Sequence, residues 1–308
     1  PAGGAVVGSY DCRVNSAVDA VAGHTIYQGH TADRVDVWRG IRYAQSPTGG
    51  LRWRRAQPLT PQPGRVSAVR FGAVSPQEPN PGVPMPRDVD RSEDCLFLNI
   101  WAPAGAAGEG RALPVMVWIH GGSYVTGAGD LPIYDPTALV TEHQVVVVTV
   151  TYRLGLFGYL RHAASPGNLG LLDQRTALEW VQRYIAHFGG DPANVTAFGE
   201  SAGGDSVAHL MIADGARGLF RRAIVMSAPL GLMPGRDKMY AAMADKVANS
   251  SGFSDAPPTR APSTSAWPTM SACHITPIRK SGALRHVRLD HRFRRSCSRN
   301  TAQLPGCI

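Results

Sequence analysis

Four short stretches of the chain are apolar at nearly every position: Leu113–Ile119, Val145–Val150, Val195–Phe198 and Ala223–Met226. Runs that are apolar on both faces predict parallel strands covered by helices on each side. Between the second and third runs, Ala177, Leu178, Val181 and Ile185 recur at helical spacing, which predicts a helix over 173–185. A second helix is read over 201–212. Alternation of buried strand and helix predicts an α/β fold with a central, mostly parallel sheet flanked by helices. Upstream, Val35–Ile41 alternates as a strand does, and Cys95–Trp101 reads as another. Residues 1–30 are Gly/Ala-rich and poorly patterned. Residues 46–87 are dense in Pro and Gly and predict no regular structure, and 104–110 predicts a surface turn.

The pattern stops after residue 253. Pro and Ser interrupt every period, no Glu or Tyr occurs, and Arg is frequent from Arg279 onward. The chain therefore divides into residues 1–253, a partial α/β domain, and residues 254–308, a basic Pro/Ser/Arg-rich tail. The tail is expected to be disordered or an off-frame reading of GC-rich DNA. Charge follows the same division. The net charge of +8 comes from 22 Lys+Arg against 21 Asp+Glu in residues 1–253, and 9 against 2 in the tail. Of the five cysteines, Cys12 and Cys95 lie in the body and Cys273, Cys297 and Cys307 in the tail, in no zinc-binding spacing. No apolar run approaches the roughly 18 residues of a membrane span. The start at Pro1 shows no basic-then-apolar leader, so no signal peptide is read.

Candidate chemistry sits at the ends of two predicted strands. Gly199-Glu-Ser-Ala-Gly203 follows the strand 195–198 and opens a helix, the context a nucleophile elbow requires. A serine on that turn is lifted above the sheet edge, with the helix N-terminus aimed at a forming oxyanion. His120-Gly-Gly-Ser-Tyr124 directly follows the strand 113–119, and its small residues could turn backbone N–H groups toward a substrate carbonyl. No G-x-x-x-x-G-K-[ST] occurs, which excludes a P-loop.

From Val37 to Ala228 the chain resembles the type-B carboxylesterase/cholinesterase family of α/β-hydrolases. The resemblance rests on Trp38-Arg-Gly-Ile-Arg-Tyr-Ala44, Leu51-Arg-Trp53, Glu93-Asp-Cys-Leu-Phe-Leu-Asn-Ile-Trp101 and Trp118-Ile-His-Gly-Gly122. Further blocks are Tyr152-Arg-Leu-Gly155, Phe157-Gly158, Gly167-Asn-Leu-Gly-Leu-Leu-Asp-Gln174, and Phe188-Gly-Gly-Asp-Pro192 leading into the serine motif. It implies ester hydrolysis through an acyl-enzyme, with Ser201 as nucleophile and the backbone N–H groups of Gly122, Ser123 and Ala202 as the oxyanion hole. It implies a small-molecule carboxylic ester as substrate and no metal or organic cofactor. Tyr124 and Phe157 are either gorge-lining or core aromatics.

Two departures from the family pattern modify this expectation. Ser75 stands where a family cysteine would pair with Cys95, so the usual disulfide is not expected; a free thiol at Cys95 is favoured over pairing with Cys12. That tilts the expected compartment mildly toward the cytoplasm. The fold's chain order is nucleophile, acid, histidine. The resemblance places acid and histidine well downstream of Ser201, but no Glu follows Glu200. His209, Asp205 and Asp214 read as helix surface or capping groups, and His120 as structural. The last sheet strands are therefore expected to be missing and the chain to be poorly folded or nearly inactive. Two other readings compete: a non-catalytic binding protein on the same fold, which the presence of Ser201 disfavours, and anion or nucleic-acid binding through the basic tail, which lacks interleaved aromatics. Oligomeric state is left open.

Overall fold

The computed structural model describes residues 16–80, 85, 89–160, 166–230 and 242. All of them fall within the unit Pro1–Thr276. Cys12, the expected boundary at residue 253 and the whole of 254–308 lie outside the described residues.

Among the described residues nine strands form one sheet: β1 (Ser16–Ala22), β2 (Thr25–Ala32), β3 (Val35–Arg42), β4 (Gly64–Ser67), β5 (Phe97–Pro103), β6 (Leu113–Ile119), β7 (Val146–Val150), β8 (Gly190–Glu200) and β9 (Arg222–Met226). Their order is β1-β2-β3-β5-β7-β6-β8-β9, with β4 pairing beside β2. The helices are α1 (Thr137–His143), α2 (Gly155–Tyr159), α3 (Leu169–Tyr184) and α4 (Ala202–Leu210). No helix of the described residues is long and apolar enough to cross a membrane.

The sheet is mixed rather than mostly parallel. β7-β6-β8-β9 is parallel, as the apolar runs predicted. The β1-β2-β3-β5-β7 half is antiparallel. The physical reason lies in the connections. Parallel neighbours need a crossover, and helices supply it between β6 and β7, β7 and β8, and β8 and β9. β1 to β3 are joined by two-residue turns, and Asp33 and Arg34 both take positive φ, the mirror-image geometry that suits tight hairpins. Strands β1 and β2 arise where the sequence predicted no pattern. Apart from Tyr27, their buried positions are small or polar (Ala20, Ala22, Thr25, Gly29, His30), so burial leaves only a weak hydrophobic signal. β4, likewise unpredicted, is a four-residue strand exposed at every position.

The core lies on both faces of the sheet. Val115, Val117, Ile119, Val146, Val148, Val150, Val195 and Ala197 are all buried. Trp38 meets Phe188 edge-on at 5.1 Å. Ion pairs join the sequence blocks that precede the core. Arg42 pairs with Asp94, and Arg52 pairs with Glu93 through two nitrogens. In the interior, Arg153 donates from Nε and a terminal nitrogen to the two oxygens of Asp173, at 2.8 and 2.6 Å, and from its other terminal nitrogen to the Arg54 carbonyl. Both partners are fully buried and this fork pairs their charges, with the Arg153 backbone N–H adding a further bond to Asp173.

The chain leaves β6 to one side to make β7, then returns to β6's other side to make β8. Such a reversal opens a crevice at the carboxyl ends of the strands, where open α/β sheets bind ligands.

Candidate active site

Two loops meet at that crevice: residues 120–127, which leave the end of β6, and the turn at Ser201, which joins β8 to α4. Ser201 has φ 53° and ψ −121°, a backbone conformation that costs a non-glycine residue roughly 1–3 kcal/mol. Surrounding contacts hold it there. Its N–H donates to the Met226 carbonyl at the end of β9 at 3.0 Å, and its carbonyl accepts from Asp205 N–H at 2.9 Å. The turn also depends on close backbone approach. A Cβ at Gly203 would lie 2.0 Å from the Ile119 carbonyl oxygen, so only glycine lets α4 sit against β6. Ser201 is half-buried and Ala202 buried. The first N–H groups of α4 have no acceptor within the helix.

The 120–127 loop lies directly against this turn. A Cβ at Gly121 would be 2.7 Å from the Glu200 carbonyl and 3.2 Å from the Ser201 Cβ. Gly122, Ser123 and Tyr124 have successive φ values of 103°, 55° and 62°. For Ser123 and Tyr124 this costs about 1–2 kcal/mol each. Val125 and Thr126 close the turn by donating to the Gly122 carbonyl at 3.0 and 3.1 Å. Gly122 is half-buried and Ser123 exposed. The structure thus gathers the stretches carrying all four predicted site residues, Gly122, Ser123, Ser201 and Ala202, on one crevice.

The loop is anchored from three sides. Tyr152 donates from its hydroxyl to the His120 carbonyl at 2.7 Å. Gln77 Oε1 accepts from Thr126 Oγ1 at 2.9 Å and Gly127 N–H at 2.8 Å, and its amide nitrogen donates to the Gly127 carbonyl. Tyr124 donates from its hydroxyl to Asp205 Oδ2 at 2.5 Å and accepts at its carbonyl from Gly155 N–H at 2.7 Å. Burial, reinforced by the Asp205 charge, raises the Tyr124 phenol pKa well above normal and keeps it a donor.

Several expectations are corrected or refined here. Asp205 is not a surface or capping group: it is 4% exposed and bonded to Tyr124. Asp214 is exposed as read. Tyr124 and Phe157 are both core residues, the latter stacked on Trp53 at 5.9 Å. His120 is fully buried and stacked on Tyr152, and burial lowers its pKa to about 4, so it is a neutral structural ring. His209 Nδ1 lies 2.8 Å from the Asp205 carbonyl, and 3.6 Å from its carboxylate. Among the described residues, no histidine or carboxylate hydrogen-bonds to the Ser201 side chain. Ser75 is buried, accepts from Leu154 N–H at 3.0 Å and is hydrogen-bonded with Cys95, the position a disulfide partner would occupy. Burial pushes the free Cys95 thiol up to about 12, leaving it inert. Sequence reasoning missed the anchoring roles of Gln77, Tyr124 and Asp205. A charged residue four positions after Ser201, within an otherwise small and apolar helix, was the available signal for Asp205.

The model of the carboxylesterase family matches residues 12–274, a wider span than the motifs alone covered. Over 208 residues the chain is 44% identical to the para-nitrobenzyl esterase of Bacillus subtilis (strain 168), covering 65% of this chain and 41% of that protein. Over 223 residues it is 42% identical to the liver carboxylesterase of Sus scrofa, covering 68% and 39%. A solved thermophilic PNB esterase superposes with a TM-score of 0.70 at 38% identity, over 77% of this chain and 49% of that one. The juvenile hormone esterase of Manduca sexta superposes with a TM-score of 0.70 at 33% identity, over 78% and 46%. The chain therefore spans about two fifths of the length of these curated relatives and about half of the solved structures.

Proposed function

The chain belongs to the carboxylesterase family, and from that premise we propose that it carries the nucleophile and oxyanion cradle of a serine hydrolase acting on small carboxylic esters. The observation that supports the reading is the approach of Gly121 to Ser201, which brings the loop carrying Gly122 and Ser123 against the turn carrying Ala202. In the reaction, Ser201 Oγ attacks the ester carbonyl and loses its proton to a base. The carbonyl oxygen takes up negative charge and is held by the three N–H groups. Collapse expels the alcohol and leaves an acyl group on Ser201, and attack by water releases the acid and regenerates the serine. The covalent route needs no metal or organic cofactor.

The described residues supply the cradle but no base hydrogen-bonded to Ser201. A site of that composition retains roughly 10³–10⁴-fold catalysis over water. The purified chain is expected to hydrolyse p-nitrophenyl acetate at or above that level, Ser201→Ala keeping the part that the cradle alone supplies and losing the part that passes through the acyl-enzyme. Equal rates in the wild type and Ser201→Ala would overturn the proposal.

A further inference from the structure

The hydrogen bond from Tyr124 to Asp205 links the two halves of the crevice. Tyr124 belongs to the loop that presents Gly122 and Ser123. Asp205 lies in the first turn of α4, whose start presents Ala202. The two side chains come from segments 81 residues apart and are bonded at 2.5 Å. Both are almost completely excluded from solvent, so the bond does not compete with water. The loop needs such a restraint. Three successive left-handed residues are an arrangement L-residues adopt only when their surroundings dictate it. Tyr124 is the last of the three and is held at both ends, through its carbonyl by Gly155 N–H and through its phenol by Asp205. Its ring also packs against Tyr159 at 4.7 Å.

We propose that the Tyr124–Asp205 hydrogen bond sets the separation between the Gly122–Ser123 donors and the Ala202 donor, so that Tyr124 and Asp205 are positioning residues of the oxyanion cradle. The inference rests on the hydrolase reading above for its catalytic consequence, but not for the tie itself. A purely space-filling pair would tolerate loss of one hydroxyl. A tie that sets donor positions would not, because misplacement of catalytic groups by about 1 Å costs on the order of 10² in rate.

The test uses the full chain and two independent readouts. The first is amide hydrogen exchange, which needs no activity. In Tyr124→Phe, exchange should rise about tenfold across residues 121–126, as loss of one buried hydrogen bond implies, while β6 remains protected. Asp205→Ala should match it. Asp205→Asn, which keeps an acceptor oxygen, should stay close to wild type. The Tyr124→Phe/Asp205→Ala double variant should be no worse than either single. The second readout is Ser201-dependent hydrolysis of p-nitrophenyl acetate. kcat should fall roughly 10–100-fold in Tyr124→Phe with KM within about twofold, since the donors act on the transition state. Unchanged exchange in Tyr124→Phe, additive effects in the double variant, or an Asp205→Asn variant as loose as Asp205→Ala would each overturn the tie. The predicted exchange pattern in a chain with no Ser201-dependent hydrolysis would uphold the tie and overturn the hydrolase reading instead.

Discussion

At the scale of single residues, the crevice is built from groups that would be costly anywhere else. Ser201, Ser123 and Tyr124 occupy backbone conformations that only tight anchoring sustains. His120 is buried with its ring neutral, and that has a consequence for acid stability. Its pKa is lowered to about 4 by burial, against 6.5 when exposed. Between those values the unfolded chain binds a proton that the folded chain does not, so stability falls as pH drops through the window. The loss from this ring approaches about 3 kcal/mol at pH 4 and is about 2 kcal/mol at pH 5. Asp130 acts in the opposite sense. Burial raises its carboxyl to about 6, so proton uptake there favours the fold below that pH. Urea unfolding of His120→Gln at pH 7 and pH 5 separates the two contributions. The variant should lose about 2 kcal/mol less than wild type over that interval; parallel losses would refute the assignment.

At the scale of elements, the setting of Ser201 was legible and the first two strands were not. β6, β7 and β9 were predicted to within a residue at each end and β8 in its second half, because the buried positions of β6 to β8 are mostly apolar; β9 reads as apolar although its positions are partly exposed. Their carboxyl ends carry Gly122, Ser123, Ser201 and Ala202, so the predicted site followed from the predicted strands. The β1–β2 hairpin was not predicted because Tyr27 is the one large aromatic among its buried positions, the others being alanine, glycine, threonine and histidine. The Tyr124–Asp205 contact was illegible because no local pattern reports that two polar side chains 81 residues apart will share one buried space. The same holds for Arg153 and Asp173, which lock the segment before α2 to α3. Removing one member of a buried ion pair leaves the other charge uncompensated, at roughly 3–5 kcal/mol. Arg153→Met should lower the urea-derived stability by about that amount, and Arg153→Met/Asp173→Leu should recover most of it. A double variant no better than the single would show that the fork contributes something beyond charge compensation.

At the scale of the whole molecule, the sheet ends at β1 on one flank and at β9 on the other among the described residues. Among the described residues, no strand pairs with the outer edge of β9. Ile224 and Val225 on its two faces are 43% and 39% exposed. Parallel strands are ordinarily covered on both faces, and an apolar open edge is a template for pairing with another chain. The purified protein is therefore expected to associate with itself as concentration rises. Ile224→Lys should shift sedimentation velocity profiles toward the monomer, and a wild type that is monomeric at every concentration would contradict this. The same architecture bears on the order in which the molecule assembles. The elbow exists only where β6, β8 and β9 are already side by side, because Gly203 rests on the Ile119 carbonyl and Ser201 N–H on that of Met226. The β6–β8 pairing closes a loop of about 80 residues that contains β7, α2 and α3, whereas the first hairpins close through two-residue turns. Long closures carry the larger entropic cost and form slowly. Ser201 acquires its strained geometry only once that long closure is made, so a nascent or partly refolded chain holds this serine in an ordinary, unstrained conformation until the sheet behind it is in place.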